Sequence, residues 1–165
     1  MRHILSVLVN NQPRVLARVA SLIGQRNYNI ESISVGESEK EGLSRMIIIT
    51  GGDHQTLEQV RKQLEKLIDV IKVEHLEKEK TVERELLLIK VEATSAVRAE
   101  IFGIVEPFRA SIVDVSPQSL TIQVTGEPAK LEAMVELLRP YGIIEIARTG
   151  AIALERGLNK VKATV

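Results

Sequence analysis

Cysteine is absent from this 165-residue chain. Disulfides, thiol nucleophiles and cysteine-held metal sites are thereby excluded, and a reducing compartment is compatible with the composition. Tryptophan is absent as well, and the two Phe and two Tyr leave little with which to stack nucleobases. A net charge is also missing. The 22 Lys and Arg balance 22 Asp and Glu, so no overall field draws the chain toward nucleic acid or an anionic membrane. No apolar run approaches the roughly 18 residues that a bilayer span requires. Met1-Arg2-His3 leads straight into Ile4-Leu5-Ser6-Val7-Leu8-Val9, too short a run for a secretory h-region. The cytoplasm is the expected compartment.

What is present is a hydrophobic fraction of 44%, ordinary for a globular chain, and an alternation of periods. Two-residue alternation predicts strands at about 3 to 9, 30 to 36, 43 to 50 and 68 to 76. Between them, Val15, Leu16, Val19, Leu22 and Ile23 form an apolar stripe on a helix at about 14 to 26, and Leu57, Val60, Leu64 and Leu67 another on a helix at about 54 to 66. Pro13 suits the first helical position, where its missing N–H costs nothing.

After residue 77 a mixed charge run, Glu77-Lys78-Glu79-Lys80-Thr81-Val82-Glu83-Arg84-Glu85, reads as a solvated linker. The second half then repeats the order: strands at about 85 to 92, 111 to 115, 119 to 125 and 142 to 148, with helices at about 96 to 107 and 128 to 138. The fold class is therefore α+β, two tandem ferredoxin-like βαββαβ domains. The expected boundaries are 1–77 for the first, 78–84 for the linker, 85–157 for the second and 158–165 for a tail without usable pattern.

Met46-Ile47-Ile48-Ile49 and Leu86-Leu87-Leu88-Ile89 are continuous apolar runs, greasy on both strand faces, whereas two helices cover only one face of a sheet. Units of about 75 residues also bury only some 60% of their unfolded surface, and open sheets leave unpaired edges. A homodimer, with a further protein partner, is expected.

The chemistry concentrates around the first helix. Asn10-Asn11-Gln12-Pro13 precedes it and Asn27-Tyr28-Asn29-Ile30 follows it. A helix start offers free N–H groups and partial positive charge to a carboxylate, and an Asn side chain offers both a donor and an acceptor. Capping and turn formation account for most such asparagines. Their pairing favours a receptor for a small zwitterion. The two turns lie at opposite ends of one helix, so both touch a single ligand only if a second subunit supplies one of them. Val15, Leu16, Ile30 and Val35 are candidate apolar walls, suited to a small aliphatic amino acid.

His3, His54 and His75 are scattered along the chain without metal-ligand spacing and read as structural or surface residues. Gly51-Gly52-Asp53 lacks the Gly-Lys-Ser/Thr of a phosphate loop, and Asp53 is expected to cap the second helix. No Ser-His-Asp set or carboxylate pair is visible. The same topology serves RNA readers, cysteine-paired metal carriers and acylphosphatases, but the aromatics, the cysteines and the glycine-rich first loop are missing. A free-standing amino-acid sensor and a small acyl phosphate hydrolase using Arg14 stand as alternatives.

Arg2-His3-Ile4-Leu5-Ser6-Val7, Tyr28-Asn29-Ile30-Glu31-Ser32-Ile33, Leu43-Ser44-Arg45-Met46, Lys66-Leu67-Ile68-Asp69-Val70, Glu83-Arg84-Glu85-Leu86, Phe108-Arg109-Ala110-Ser111, Gln123-Val124-Thr125-Gly126 and Ile146-Ala147-Arg148-Thr149-Gly150 follow in order through both halves. In these residues the chain resembles the small regulatory subunit of acetolactate synthase (acetohydroxyacid synthase), whose first half is an ACT domain. The resemblance implies a protein without its own active site that binds and stimulates a large catalytic subunit and confers feedback inhibition by valine. It implies no cofactor on this chain; thiamin diphosphate, Mg and FAD would sit on that partner. The valine site it implies lies at a dimer interface and maps onto Asn11, Arg14, Val15 and Leu16 of one subunit with Asn29 and Ile30 of the other. Position 14 is usually glycine in this family, which lets a ligand approach the backbone closely. Arg14 crowds the site, points away from it, or helps to hold the carboxylate.

Overall fold

The computed structural model describes residues 1–26 and 28–157; Asn27, in the second asparagine turn, and the expected tail at 158–165 lie outside the described residues. The chain divides into two compact units, Met1–Val82 together with the segment that begins at Ile152, and Glu83–Ala151.

The first unit runs β1 (Arg2–Asn10), α1 (Val15–Gln25), β2 (Asn29–Glu37), β3 (Leu43–Gly51), α2 (His54–Leu64), β4 (Val70–Leu76). Its antiparallel sheet has the order β2-β3-β1-β4, which leaves β2 and β4 at the edges. The apolar stripes of the helices explain this layering: Val15, Val19 and Ile23 of α1 and Leu57, Val60 and Leu64 of α2 bury against Leu5, Val7, Met46 and Ile48 of the central strands. Each such side chain contributes about 1.5–3 kcal/mol by leaving water. Asp53 caps α2 as expected, its carboxylate accepting from the Thr56 N–H at 2.7 Å. That bond holds the Asp53 carboxyl below its ordinary value.

The second unit runs β5 (Thr81–Glu92), α3 (Arg98–Val105), β6 (Ser111–Ser116), β7 (Ser119–Gly126), α4 (Pro128–Leu138), β8 (Ile143–Arg148). Its strand order β6-β7-β5-β8 repeats that of the first. Ile101 and Val105 of α3 and Leu131, Met134 and Leu138 of α4 cover Leu87, Ile89, Leu120 and Ile122. No helix among the described residues is long and apolar enough to cross a membrane.

Three expectations change. The run read as a solvated linker at 78–84 is ordered: Lys78–Lys80 form one turn of 3-10 helix, β5 already begins at Thr81, and Thr81 and Glu83 are buried. β9 (Ile152–Glu155), a strand without an expectation behind it, pairs with β5. Contacts group β9 with the first unit, although 85–157 reads as one domain in sequence. The argument from apolar runs also fails for the first sheet. Ile47 and Ile49 are already 4% and 1% exposed in the single chain, so their burial calls for no second copy; Leu88 in the other run stays 38% exposed. Finally, Pro13 precedes the helix rather than opening it, because Arg14 takes the N-cap place and Val15 is the first helical residue.

Candidate functional site

Chain direction fixes the corner at the end of β1. Asn10 donates its N–H to the Asp69 carbonyl and Asn11 to the Gly42 carbonyl, each at 2.8 Å, which ties the loop to two neighbouring turns and leaves the Asn11 side chain exposed. Gln12 and Pro13 then bring the chain to Arg14, whose backbone is left-handed at φ 73° and ψ −4°. A side chain in that conformation is disfavoured by roughly 1–2 kcal/mol. No side chain caps α1, and its first turn carries no acidic residue. The partial positive charge of this helix start is therefore not neutralised locally.

Val15 is buried in the core, whereas Leu16 is 48% exposed and does not join the buried stripe. Arg14 lines a different flank. With Ala17, Arg18, Ser21, Leu22, Gln25 and Leu67 it borders an open groove of about 570 Å³, and Arg18 there pairs with Asp69. Leu16 is not among the residues bordering that groove.

Asn29 and Ile30 lie elsewhere. Asn29 opens the edge strand β2 and pairs in register with Gly51, which also stands opposite Arg2, while Asn10 stands opposite Leu43 at the other end of the sheet. Eight residue steps separate these ends, about 26 Å at strand rise. One chain therefore brings Asn11, Arg14, Val15 and Leu16 together and keeps them apart from Asn29 and Ile30. Val35, 45% exposed, is on β2 near the Asn11 end, opposite Met46.

The Asn29 end holds residues that local spacing does not reveal. The buried Thr50 hydroxyl donates to the Asn29 carbonyl at 2.8 Å. His3 and His75, far apart in sequence, meet edge to face with ring centroids 5.4 Å apart, because β1 and β4 pair antiparallel. Their expected scatter is a property of the sequence alone. The described residues contain no group of three or more His, Asp or Glu arranged to hold a metal.

A family model described as the small subunit of acetolactate synthase matches residues 84–157, and one described as the AHAS small subunit-like ACT domain matches residues 5–72. A probable acetolactate synthase small subunit of Methanothermobacter thermautotrophicus is 55% identical over 156 residues, 94% of this chain and 93% of that one. The chain belongs to the acetolactate synthase small subunit family. The acetolactate synthase small subunit of Bacillus subtilis is 51% identical over 158 residues, 95% of this chain and 92% of its own length. The crystal structure of the acetolactate synthase small subunit from Thermotoga maritima superposes with a TM-score of 0.90 at 45% identity, covering 96% of this chain and 99% of that one. The first unit is thus an ACT domain of this family, and the repeated βαββαβ architecture read from the periodicity is the family's fold.

Proposed function

We propose that this chain is the regulatory partner of a thiamin-diphosphate-dependent acetolactate synthase catalytic chain in the cytoplasm, that it stimulates that chain, and that it confers inhibition by valine bound between two copies of the ACT domain. The observation that carries the effector reading is the α1 start: uncapped, preceded by an exposed Asn11, and flanked by an exposed Leu16. Its free N–H groups suit the valine carboxylate. The Asn11 amide oxygen suits the ammonium, and Leu16 and Val35 suit the isopropyl group.

Topology supports the second copy. β2 is an edge strand, and its pairing with β2 of another copy about a twofold axis runs antiparallel. That pairing sets the start of one β2, with Asn29 and Ile30, beside the end of the other, where Asn11 and the α1 start lie. Each copy then completes the other's site. Arg14 borders the groove beside Leu67, which Leu16 does not line, and this supports retained valine response.

The chemistry of acetolactate formation belongs to the catalytic chain and its cofactors. Valine acts by favouring one arrangement of paired ACT domains, and a coupling of about 1–3 kcal/mol gives a 5- to 150-fold effect. Reconstitution with the cognate catalytic subunit across a valine series tests this. Stimulation without valine and saturable inhibition with it are expected; a chain that neither stimulates nor sensitises its partner refutes the proposal.

A further inference from the structure

All three histidines of the chain lie in the first unit, His3 on β1, His54 at the start of α2 and His75 near the end of β4. Histidine is the side chain whose ordinary charge change falls between about pH 5 and 8. His3 is 8% exposed and its Nε2 lies 3.2 Å from the Gly52 carbonyl oxygen. A carbonyl only accepts, so the neutral His3 ring carries its proton on Nε2. Beside Gly52 stands Gly51, the register partner of Asn29, where a Cβ would lie 3.4 Å from Asn29 Nδ2. Thr50, next in line, donates to the Asn29 carbonyl. A continuous path of contacts therefore runs from His75 through His3, Gly52, Gly51 and Thr50 to Asn29.

We propose that Thr50, Gly51 and His3 are positioning residues for Asn29, and that protonation of His75 loosens this support, so that effector binding weakens as the pH falls. The inference rests on the reading that Asn29 contacts the effector. A charged His75 is better solvated in water than against the His3 ring. Its departure removes the edge-to-face contact that backs His3, and with it support for the strand end beside Asn29.

The surroundings agree in sign. Loss of hydration, then the charges of His3 and His54, hold His75 below the ordinary histidine value, against a smaller opposing effect of Glu77 and Glu58. The packed arrangement thus favours neutral His75: its contribution is complete above the ordinary value of about 6.5 and is lost as the pH falls below it. The other charged groups near this end are committed. Glu58 pairs with Arg61, Glu74 with Lys72, Glu77 with Lys80, Glu31 with Arg2, and Asp53 caps α2. The Met1 amine adds one cation, and the Met1 carbonyl accepts from the Gly52 N–H.

The test titrates valine calorimetrically into the purified full chain between about pH 7.5 and 5.5, a window in which histidines titrate and a free amino acid stays zwitterionic. Wild-type affinity is expected to fall about tenfold across it, on the scale of an ordinary allosteric coupling. His75→Asn, at an exposed position, is expected to keep the affinity at the upper pH and lose most of the pH dependence. A flat wild-type profile, or His75→Asn with the wild-type slope, overturns the proposal. The Asn29 side-chain amide resonance of the valine-free chain provides a readout independent of effector. Its shift with the His75 titration supports the path, and a stationary Asn29 signal while that ring titrates overturns it. If wild type binds no valine at either pH while the Asn29 signal follows His75, the effector assignment fails and the positioning path stands.

Discussion

Asn11 and Ala93 occupy the same place in the two units. Each follows an interior strand of its sheet, and each N–H donates at 2.8 Å to a hairpin carbonyl, Gly42 for Asn11 and Gln118 for Ala93. The preceding residues match as well: Asn10 donates to Asp69 and Glu92 to Gly142, both at 2.8 Å. The side chains part company. Asn11 is exposed and Ala93 is 0% exposed. Neither helix start has a side-chain cap, but the corner before α3 is crossed by Arg98, whose Nη2 donates to the carbonyls of Ser116 at 2.5 Å and Pro117 at 2.9 Å. A backbone corner repeated so closely carries no function by itself; what fills it decides whether a ligand can enter.

The contrast is sharpest at Asn11. Asn11→Ala gives the first corner the side chain of the second and removes a neutral acceptor placed beside the α1 start. A hydrogen bond to a charged group is worth about 1.5–3 kcal/mol, so valine affinity is expected to fall about 10- to 100-fold by calorimetry while thermal stability stays unchanged. Equal binding by wild type and Asn11→Ala would place the effector elsewhere.

At Arg98 the comparison turns to stability. The guanidinium ties the β6–β7 turn to the start of α3, with a third, longer contact of 3.5 Å to the Ala93 carbonyl. Its Nε is buried without a hydrogen-bond partner, which offsets part of the gain. Arg98→Met keeps the stem and removes the donors. A loss of about 2 kcal/mol is expected, read as faster amide exchange across Glu83–Ala151, with valine affinity unchanged. Unaltered exchange there would mean that the corner is closed by packing of α3 alone.

The order of elements was legible because each carries its own period: the Val15, Val19, Ile23 stripe and the alternation in Leu120, Ile122 and Val124 are local signals. The strand at Ile152–Glu155 was not, since four residues offer too short a pattern. The residue types of the proposed effector site, at Asn11 and Asn29, and the distance between them were legible. The contacts around Asn29 were not. Thr50 reaches Asn29 across β2 and β3, and His3 meets His75 only after β1 and β4 pair, contacts whose sequence separation leaves no trace in spacing. Nor does an arginine announce a left-handed backbone, which residue preferences assign to glycine or asparagine.

That last point separates the two helix starts by sign. Arg14 sits at φ 73°, whereas Val97, the residue before α3, has φ −110°. Glycine enters the left-handed region freely, so Arg14→Gly relieves roughly 1–2 kcal/mol of backbone strain and returns about 0.4–1 kcal/mol through the freer unfolded chain. The net expectation is a small stabilisation, about 0.5–1 kcal/mol, seen as a higher denaturant midpoint. Val97→Gly has no strain to relieve and loses a side chain that packs on the second core, so it is expected to destabilise by at least about 1 kcal/mol. The same substitution then moves stability in opposite directions at the two corners, and a destabilised Arg14→Gly would show that the side chain, at the border of the groove, outweighs the strain of its backbone.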